Sequence, residues 1–414
     1  MKKLLVFLFI TILLTACNNN EDEPTLPVKD NAPVTVWAYL VADTNIKSDI
    51  RNNIKNMYEG LSKMDKQATL LVYWDGGTSD AYFSTSPAIF QYKTDGYGNI
   101  NGVSARDSSY SIRFIAQQAE ILKSYSDQLS SDKSIMTLVL KDMKNFTKTN
   151  KMILVAGSHG SAWTESIFAP KNRAFGQDGS GTDNTIATWD MADAIKDAGI
   201  KLDLLLFDAC MMGTAEVCYD FRDVANYLIV SSLDVPAPGF PYHNFMTNLY
   251  EGTVKDFTEV CKHYVDFYRY YPSGWASVAL IDINQINALA SSIKQQLKDN
   301  KDKIFNYNPI GKLQHYGLNS SATGFKYISF DMNQFIQELN GGITPQDFMS
   351  QLNKTVLYAD CLEDTEYYTI EKSKFCGLGM YIPVSVRQAW NSTFKTIDWY
   401  KAAGWDEITF SWEY

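Results

Sequence analysis

Short, nearly unbroken apolar runs recur along this chain, separated by stretches with helical spacing. Val34–Val41, Thr69–Trp74, Met152–Ala156, Leu202–Phe207 and Tyr227–Ser231 are such runs. A strand covered on both faces has this signature, because neither side meets water. After the first run, Ile50, Ile54, Met57 and Leu61 fall on one face of a helix predicted over Ile46–Leu61. Ile112–Leu122, Ser134–Phe146, Trp189–Ala198 and Thr214–Phe221 also read as helices. This alternation predicts an α/β fold, a mostly parallel sheet flanked by helices on both faces. Helices at Lys255–Tyr270 and Gln285–Asp299 and strands at Ala276–Ile281 and Gly379–Ile382 predict a C-terminal α/β extension on the same core. Two segments break the rhythm. Ser84–Ser109, with turn chemistry at Asp95-Gly96-Tyr97-Gly98, predicts a small hairpin. Thr164–Thr188, rich in Gly, Asp, Ser and Thr, predicts a long irregular loop, and such loops are usually functional.

The N-terminus has a different pattern. Met1-Lys2-Lys3 is basic, and Leu4–Leu14 is apolar but too short to span a bilayer. Leu14-Thr15-Ala16-Cys17 follows, so residues 1–17 read as a secretory signal that resembles a bacterial lipobox, with Cys17 as the lipidated residue. Residues 18–32 are polar and Pro-containing and read as a disordered tether. The acidic run Glu21-Asp22-Glu23 is similar to surface-export signals of some Gram-negative lipoproteins. These features place the protein in a bacterial cell envelope, tethered to the outer membrane through its N-terminal lipid. Residues 33–242 then form the main α/β core and 243–414 the extension.

Composition narrows the function. Net charge is −10 over 414 residues with no basic patch, which disfavours nucleic-acid binding. There are six cysteines and four histidines, and no C-x-x-C occurs, which argues against a structural zinc site. Cys218, Cys261, Cys361 and Cys376 are free to pair in an oxidising compartment, in an arrangement that spacing does not fix.

The chemistry sits where two apolar runs end. His159 lies just beyond Met152–Ala156, and Cys210 just beyond Leu202–Phe207. Two neighbouring strand ends bring a thiol and an imidazole together, as a cysteine nucleophile and its base require. Gly160 and Gly213 let backbone approach closely, so the N–H groups of Gly160 and Cys210 are candidates for an oxyanion hole.

The segments His159-Gly160-Ser161-Ala162-Trp163 and Asp208-Ala209-Cys210-Met211-Met212-Gly213 resemble the clostripain family of cysteine peptidases, in the clan of caspases and gingipains. Tyr39–Asn45, Ser231–Asp234 with Pro238–Tyr242, and Gly377–Pro383 are similar to further family segments, so the likeness runs from Val34 to Trp412. Glu216 falls where that family often has an acid. Departures are Ser158 in place of an acid, Ala162 in place of a glycine, and Val235-Pro236-Ala237 in place of a second acid.

The resemblance implies a caspase-like fold and an endopeptidase with a His159/Cys210 dyad that cuts protein or peptide substrates after Arg or Lys. Asp208 matches the family's pocket acid, and Asp234 is a second candidate, since a buried cation must be paired. It also implies a zymogen cut between the two motifs, with Lys171 and Arg173 as candidate processing sites. No cofactor is expected. Some relatives use calcium, for which Asp178, Asp183 and Asp190 are the nearest oxygen donors, without the spacing of an EF-hand. Two other readings fit the same residues: a non-catalytic binding lipoprotein of this fold, and a peptidase with non-basic specificity.

Overall fold

The computed structural model describes residues 35–105, 110–147, 149, 151–165, 173–179, 184–317, 327–363 and 365–413. The signal, Cys17, the tether, Lys171 and Asp183 lie outside them. Five strands form the parallel centre of one sheet: β1 (Thr35–Val41), β2 (Ala68–Asp75) and, numbering in chain order, β7 (Met152–Gly157), β10 (Leu202–Asp208) and β11 (Ala225–Val230). Their spatial order is β11-β10-β7-β1-β2, every pair parallel.

Both faces are covered, which is why these strands are apolar throughout. In β1, Val36, Ala38 and Leu40 enter one core, while Trp37, Tyr39 and Val41 enter the other. The first core is closed by α1 (Lys47–Ser62), through Ile50, Ile54, Met57 and Leu61, and by α7 (Val254–Arg269). The second is closed by α3 (Lys133–Phe146), α4 (Thr188–Asp197) and α8 (Ile286–Asp299).

Antiparallel strands extend the sheet at both edges. On one side β3 (Ala88–Thr94) pairs with β2, and the small hairpin β4 (Asn99–Ile100) and β5 (Val103–Ser104) hangs from it. On the other, β12 (Ser277–Asp282) pairs with β11 and β14 (Val356–Cys361) with β12. The extension therefore adds strands to the same sheet.

Several elements differ from expectation. The helix predicted over Ile112–Leu122 ends at Gln117, as α2 (Ile112–Gln117), and β6 (Glu120–Ser124) pairs with β3. The Ser84–Ser109 segment holds a full strand, β3, beside its hairpin. The segment 164–188 is not wholly irregular. Its first residues, as the end of β8 (Gly160–Glu165), and its middle, as β9 (Arg173–Phe175), form a two-stranded sheet. The strand expected at Gly379–Ile382 is confined to β15 (Gly379–Met380), paired with β13 (Phe330–Asp331). Cys210, Cys218, Cys261, Cys361 and Cys376 are all free thiols. No helix among the described residues is long and apolar enough to cross a membrane.

Candidate active site

Neighbouring parallel strands β7 and β10 run in register, with Ala156 beside Phe207 and Gly157 beside Asp208. Each chain then continues two residues past that last pair, to His159 and to Cys210. The Ser158 amide donates to the Asp208 carbonyl at 3.3 Å, which carries the register into the loops. Gly160 makes the final approach possible. A Cβ there would lie 2.5 Å from the Cys210 carbonyl oxygen and 2.9 Å from its amide nitrogen. The two candidate oxyanion-hole residues, Gly160 and Cys210, are thus in backbone contact.

The loop after the thiol is held in an unusual shape. Met211 has φ 60°, and its amide donates to the Leu233 carbonyl at 3.0 Å. Ala162 has φ 57° and is fully buried. This is a position where a Cβ is disfavoured, which gives a physical reason for the glycine of the family pattern.

His159 is half-buried, and its Nε2 lies 2.8 Å from Asn45 Oδ1. An amide oxygen only accepts, so Nε2 carries the proton and Nδ1 keeps its lone pair. Burial lowers the imidazole pKa, which keeps the ring neutral and ready to accept a proton near pH 7. Asn45 stands on the turn after β1, and nothing in its sequence surroundings marks it as the partner of a histidine.

Cys210 keeps partial exposure. Its Sγ lies 3.8 Å from the Val235 carbonyl oxygen, on the segment that carries Asp234. Burial first, and Asp234 second, hold the thiol pKa well above its ordinary value. The thiol faces the loop of Asp234 and Val235.

The two candidate pocket acids have different surroundings. Asp208 is buried, and its Oδ2 accepts from Tyr242 Oη at 2.7 Å, Asn53 Nδ2 at 3.0 Å and the Phe240 amide at 3.4 Å. Burial pushes its pKa up to about 6 against these donors. Gly239, φ 70°, closes over it, and a Cβ there would lie 2.7 Å from the same oxygen. Asp234 is half-buried and accepts from Tyr368 Oη at 2.6 Å. Trp275 Nε1 donates to the Asp234 carbonyl at 2.9 Å. Tyr368 and Trp275 belong to a small separate core with Leu233, Tyr316, Cys361 and Ile370, supplied mainly by the C-terminal part of the chain. Asp234, which the sequence ranks second, is therefore the acid at the nucleophile, and Asp208 lies in a tight cradle behind it.

Glu216 is wholly buried in α5 (Ala215–Asp220), where its Oε1 accepts from the Tyr381 amide at 2.8 Å and its Oε2 has no partner. It braces the helix after the nucleophile loop and does not face the thiol's partners.

Arg173 opens β9 opposite Glu165, so its backbone sits in a ladder rather than a free loop. Of the acids considered for calcium, Asp178 lies beside Asp75, accepts from the Ser130 amide at 2.5 Å and has its pKa pushed up to about 7 by burial. Asp190 lies in the first turn of α4. A calcium cage needs six or more oxygens, and among the described residues no group of three His, Cys, Asp or Glu is placed to hold a metal. A groove of about 1030 Å³ opens at the opposite edge of the sheet, lined by Thr35, Ala68 and Thr94 among others, and contains none of the site residues.

The family model described as the clostripain family matches residues 38–412. The chain belongs to that family. Clostripain of Hathewaya histolytica is 26% identical over 245 residues, which cover 54% of this chain and 43% of the relative, so the match spans less than half of that protein's length. Two solved structures are similar in fold. One is a secreted C11 cysteine protease from Bacteroides thetaiotaomicron in complex with an irreversible peptide inhibitor (TM-score 0.70, 22% identity, 91% of this chain and 100% of that one). The other is an inactive zymogen C11 protease from Parabacteroides distasonis (TM-score 0.71, 22% identity, 92% and 99%).

Proposed function

We propose that this protein is a secreted, lipid-anchored cysteine endopeptidase that hydrolyses peptide bonds after Arg or Lys. The observation that supports the reading is the close backbone approach of Gly160 to Cys210, with His159 and Cys210 each two residues beyond a registered strand pair. His159 Nδ1 takes the thiol proton, and the thiolate attacks the scissile carbonyl. The N–H groups of Gly160 and Cys210 stabilise the oxyanion. The imidazolium then gives its proton to the leaving amine, and water releases the acyl group by the reverse sequence. Asp234 at the thiol, with Asp208 behind it, supplies negative charge for a basic side chain.

Hydrolysis of a fluorogenic peptide panel that varies only the residue before the scissile bond tests this, with the full chain and Cys210→Ala side by side. Cleavage after Arg and Lys that vanishes in the variant is expected. Silence across the panel in a folded protein, also after brief treatment with trypsin, would mean a binding role instead. Cleavage after other residues would retire the basic preference alone.

Two further parts of the proposal have their own tests. Self-cleavage after Lys171 or Arg173 gives a new N-terminus at Asn172 or Ala174. An intact single chain in fully active enzyme removes it. Anchoring through Cys17 predicts that Cys17→Ser releases the protein from membranes.

A further inference from the structure

Asp234 holds two positions at once. Its carboxylate is the largest charge influence on the Cys210 thiol, whose Sγ lies 3.8 Å from the carbonyl oxygen of the next residue, Val235, and it is also the half-buried acid that a substrate cation would meet. His159, meanwhile, is engaged by Asn45. We infer that the basic side chain of the substrate is itself the activator of the nucleophile, because pairing with Asp234 releases the Cys210 thiol to His159.

The inference rests on the basic preference proposed above. With the pocket empty, the thiol donates to the Val235 carbonyl, 3.8 Å from Sγ, and the Asp234 carboxylate of the same segment raises its pKa. The charge of the carboxylate favours the protonated form and outweighs the opposite influence of the Val235 backbone. The largest charge influences on the thiol are Asp234 and Asp208, and both raise its pKa. The phenols of Tyr264 and Tyr368 stand close enough to sense it. His159, held by Asn45, stands at the neighbouring strand end.

A guanidinium or ammonium entering here pairs with the Asp234 carboxylate and cancels its charge. A cation at this range favours a neighbouring anion, here the thiolate. The thiol proton then passes to His159 Nδ1, leaving thiolate and imidazolium, and no other reactant is needed. A peptide without a basic side chain binds beside a thiol that stays protonated. Selectivity thus enters twice, once in binding and once in the chemistry. Tyr368 is the positioning residue: its hydroxyl, 2.6 Å from Asp234 Oδ2, fixes where the carboxylate points.

The test is alkylation of Cys210 by uncharged iodoacetamide in the full chain, followed by mass spectrometry across a pH series. It is run with and without n-butylguanidinium, and cleavage of Arg and Leu peptides is measured on the same preparation. The pH midpoint is the readout, since shielding of the thiol by the probe changes the rate but not the midpoint. The midpoint is expected to fall by about one pH unit or more when the cation is present. Asp234→Asn should show a low midpoint without the cation and no response to it. Tyr368→Phe, which retains the acid, should need a several-fold higher cation concentration for half the shift and reach the same final midpoint.

An unmoved midpoint in an enzyme that still prefers Arg peptides would overturn the inference and leave the preference standing. An unmoved midpoint with no preference would overturn both.

Discussion

Replacing Glu216 by Gln should stabilise this protein at alkaline pH and leave it nearly unchanged in mild acid. The carboxyl is wholly buried and accepts from the Tyr381 amide, and burial outweighs this and its other local contacts to push its pKa from 4.5 up to about 7. Between those values the folded state holds a proton that the unfolded chain has lost, so stability falls as pH rises through this window. Carried across the window, the difference amounts to roughly 3 kcal/mol at pH 8 and under about 1 kcal/mol at pH 5. Glutamine keeps an acceptor for Tyr381 and carries no charge to bury. Relaxation of the site reduces the gain, so about 1–3 kcal/mol is expected at pH 8. Urea denaturation at pH 5 and pH 8, followed by tryptophan fluorescence, measures it as a difference between two proteins. The other buried acids titrate in both and cancel. Glu216→Ala serves as control: it leaves the Tyr381 amide unpaired and a cavity, and should lose about 2–4 kcal/mol near pH 5 and much less at pH 8, because it too lacks the carboxyl that is costly to ionise there. A Gln effect that is the same at both pH values, or destabilising at pH 8, would refute the reasoning.

Further predictions concern the site and the thiols. Gly160→Ala puts a methyl 2.5 Å from the Cys210 carbonyl, so peptide hydrolysis should fall at least about 100-fold in a folded protein; activity within a few-fold of the parent would contradict the placement of the oxyanion hole. Asn45→Ala frees the imidazole, and kcat should drop roughly 10–100-fold with little change in KM, as read from initial rates on an Arg peptide. Because the five described cysteines outside the signal are free, denaturation midpoints with and without a thiol reductant should coincide. A loss of about 2 kcal/mol or more on reduction would reveal a disulfide.

The parts legible in the sequence were those with a local cause. Leu204 and Leu206 face one core, Leu205 and Phe207 the other, so β10 had to be apolar at successive positions. The same logic marked where strands end, and hence His159 and Cys210. The edge was harder. At Ile112–Leu122 the apolar spacing suits a helix, yet the chain turns at Gln117 and pairs β6 with β3, leaving Ile121 exposed. Long-range partners left no trace. Asn45 meets a histidine 114 positions away, and Tyr368 meets an aspartate 134 positions away. No periodicity or spacing encodes such a pair. The ranking of the two acids also needed the fold, because Asp208 and Asp234 both follow strands and differ only in which donors surround them.

The small core formed by Leu233, Tyr316, Cys361, Tyr368 and Ile370 separates two responsibilities along the chain. Nucleophile and base come from the parallel strands of the first half. The residues that aim Asp234, by contrast, flank the antiparallel strands added at one edge, Trp275 just before β12 and Tyr368 just after β14. Drift in that later segment can alter which bonds are cut while the bond-breaking apparatus stays untouched. A lineage with this layout can diversify its diet without rebuilding its teeth.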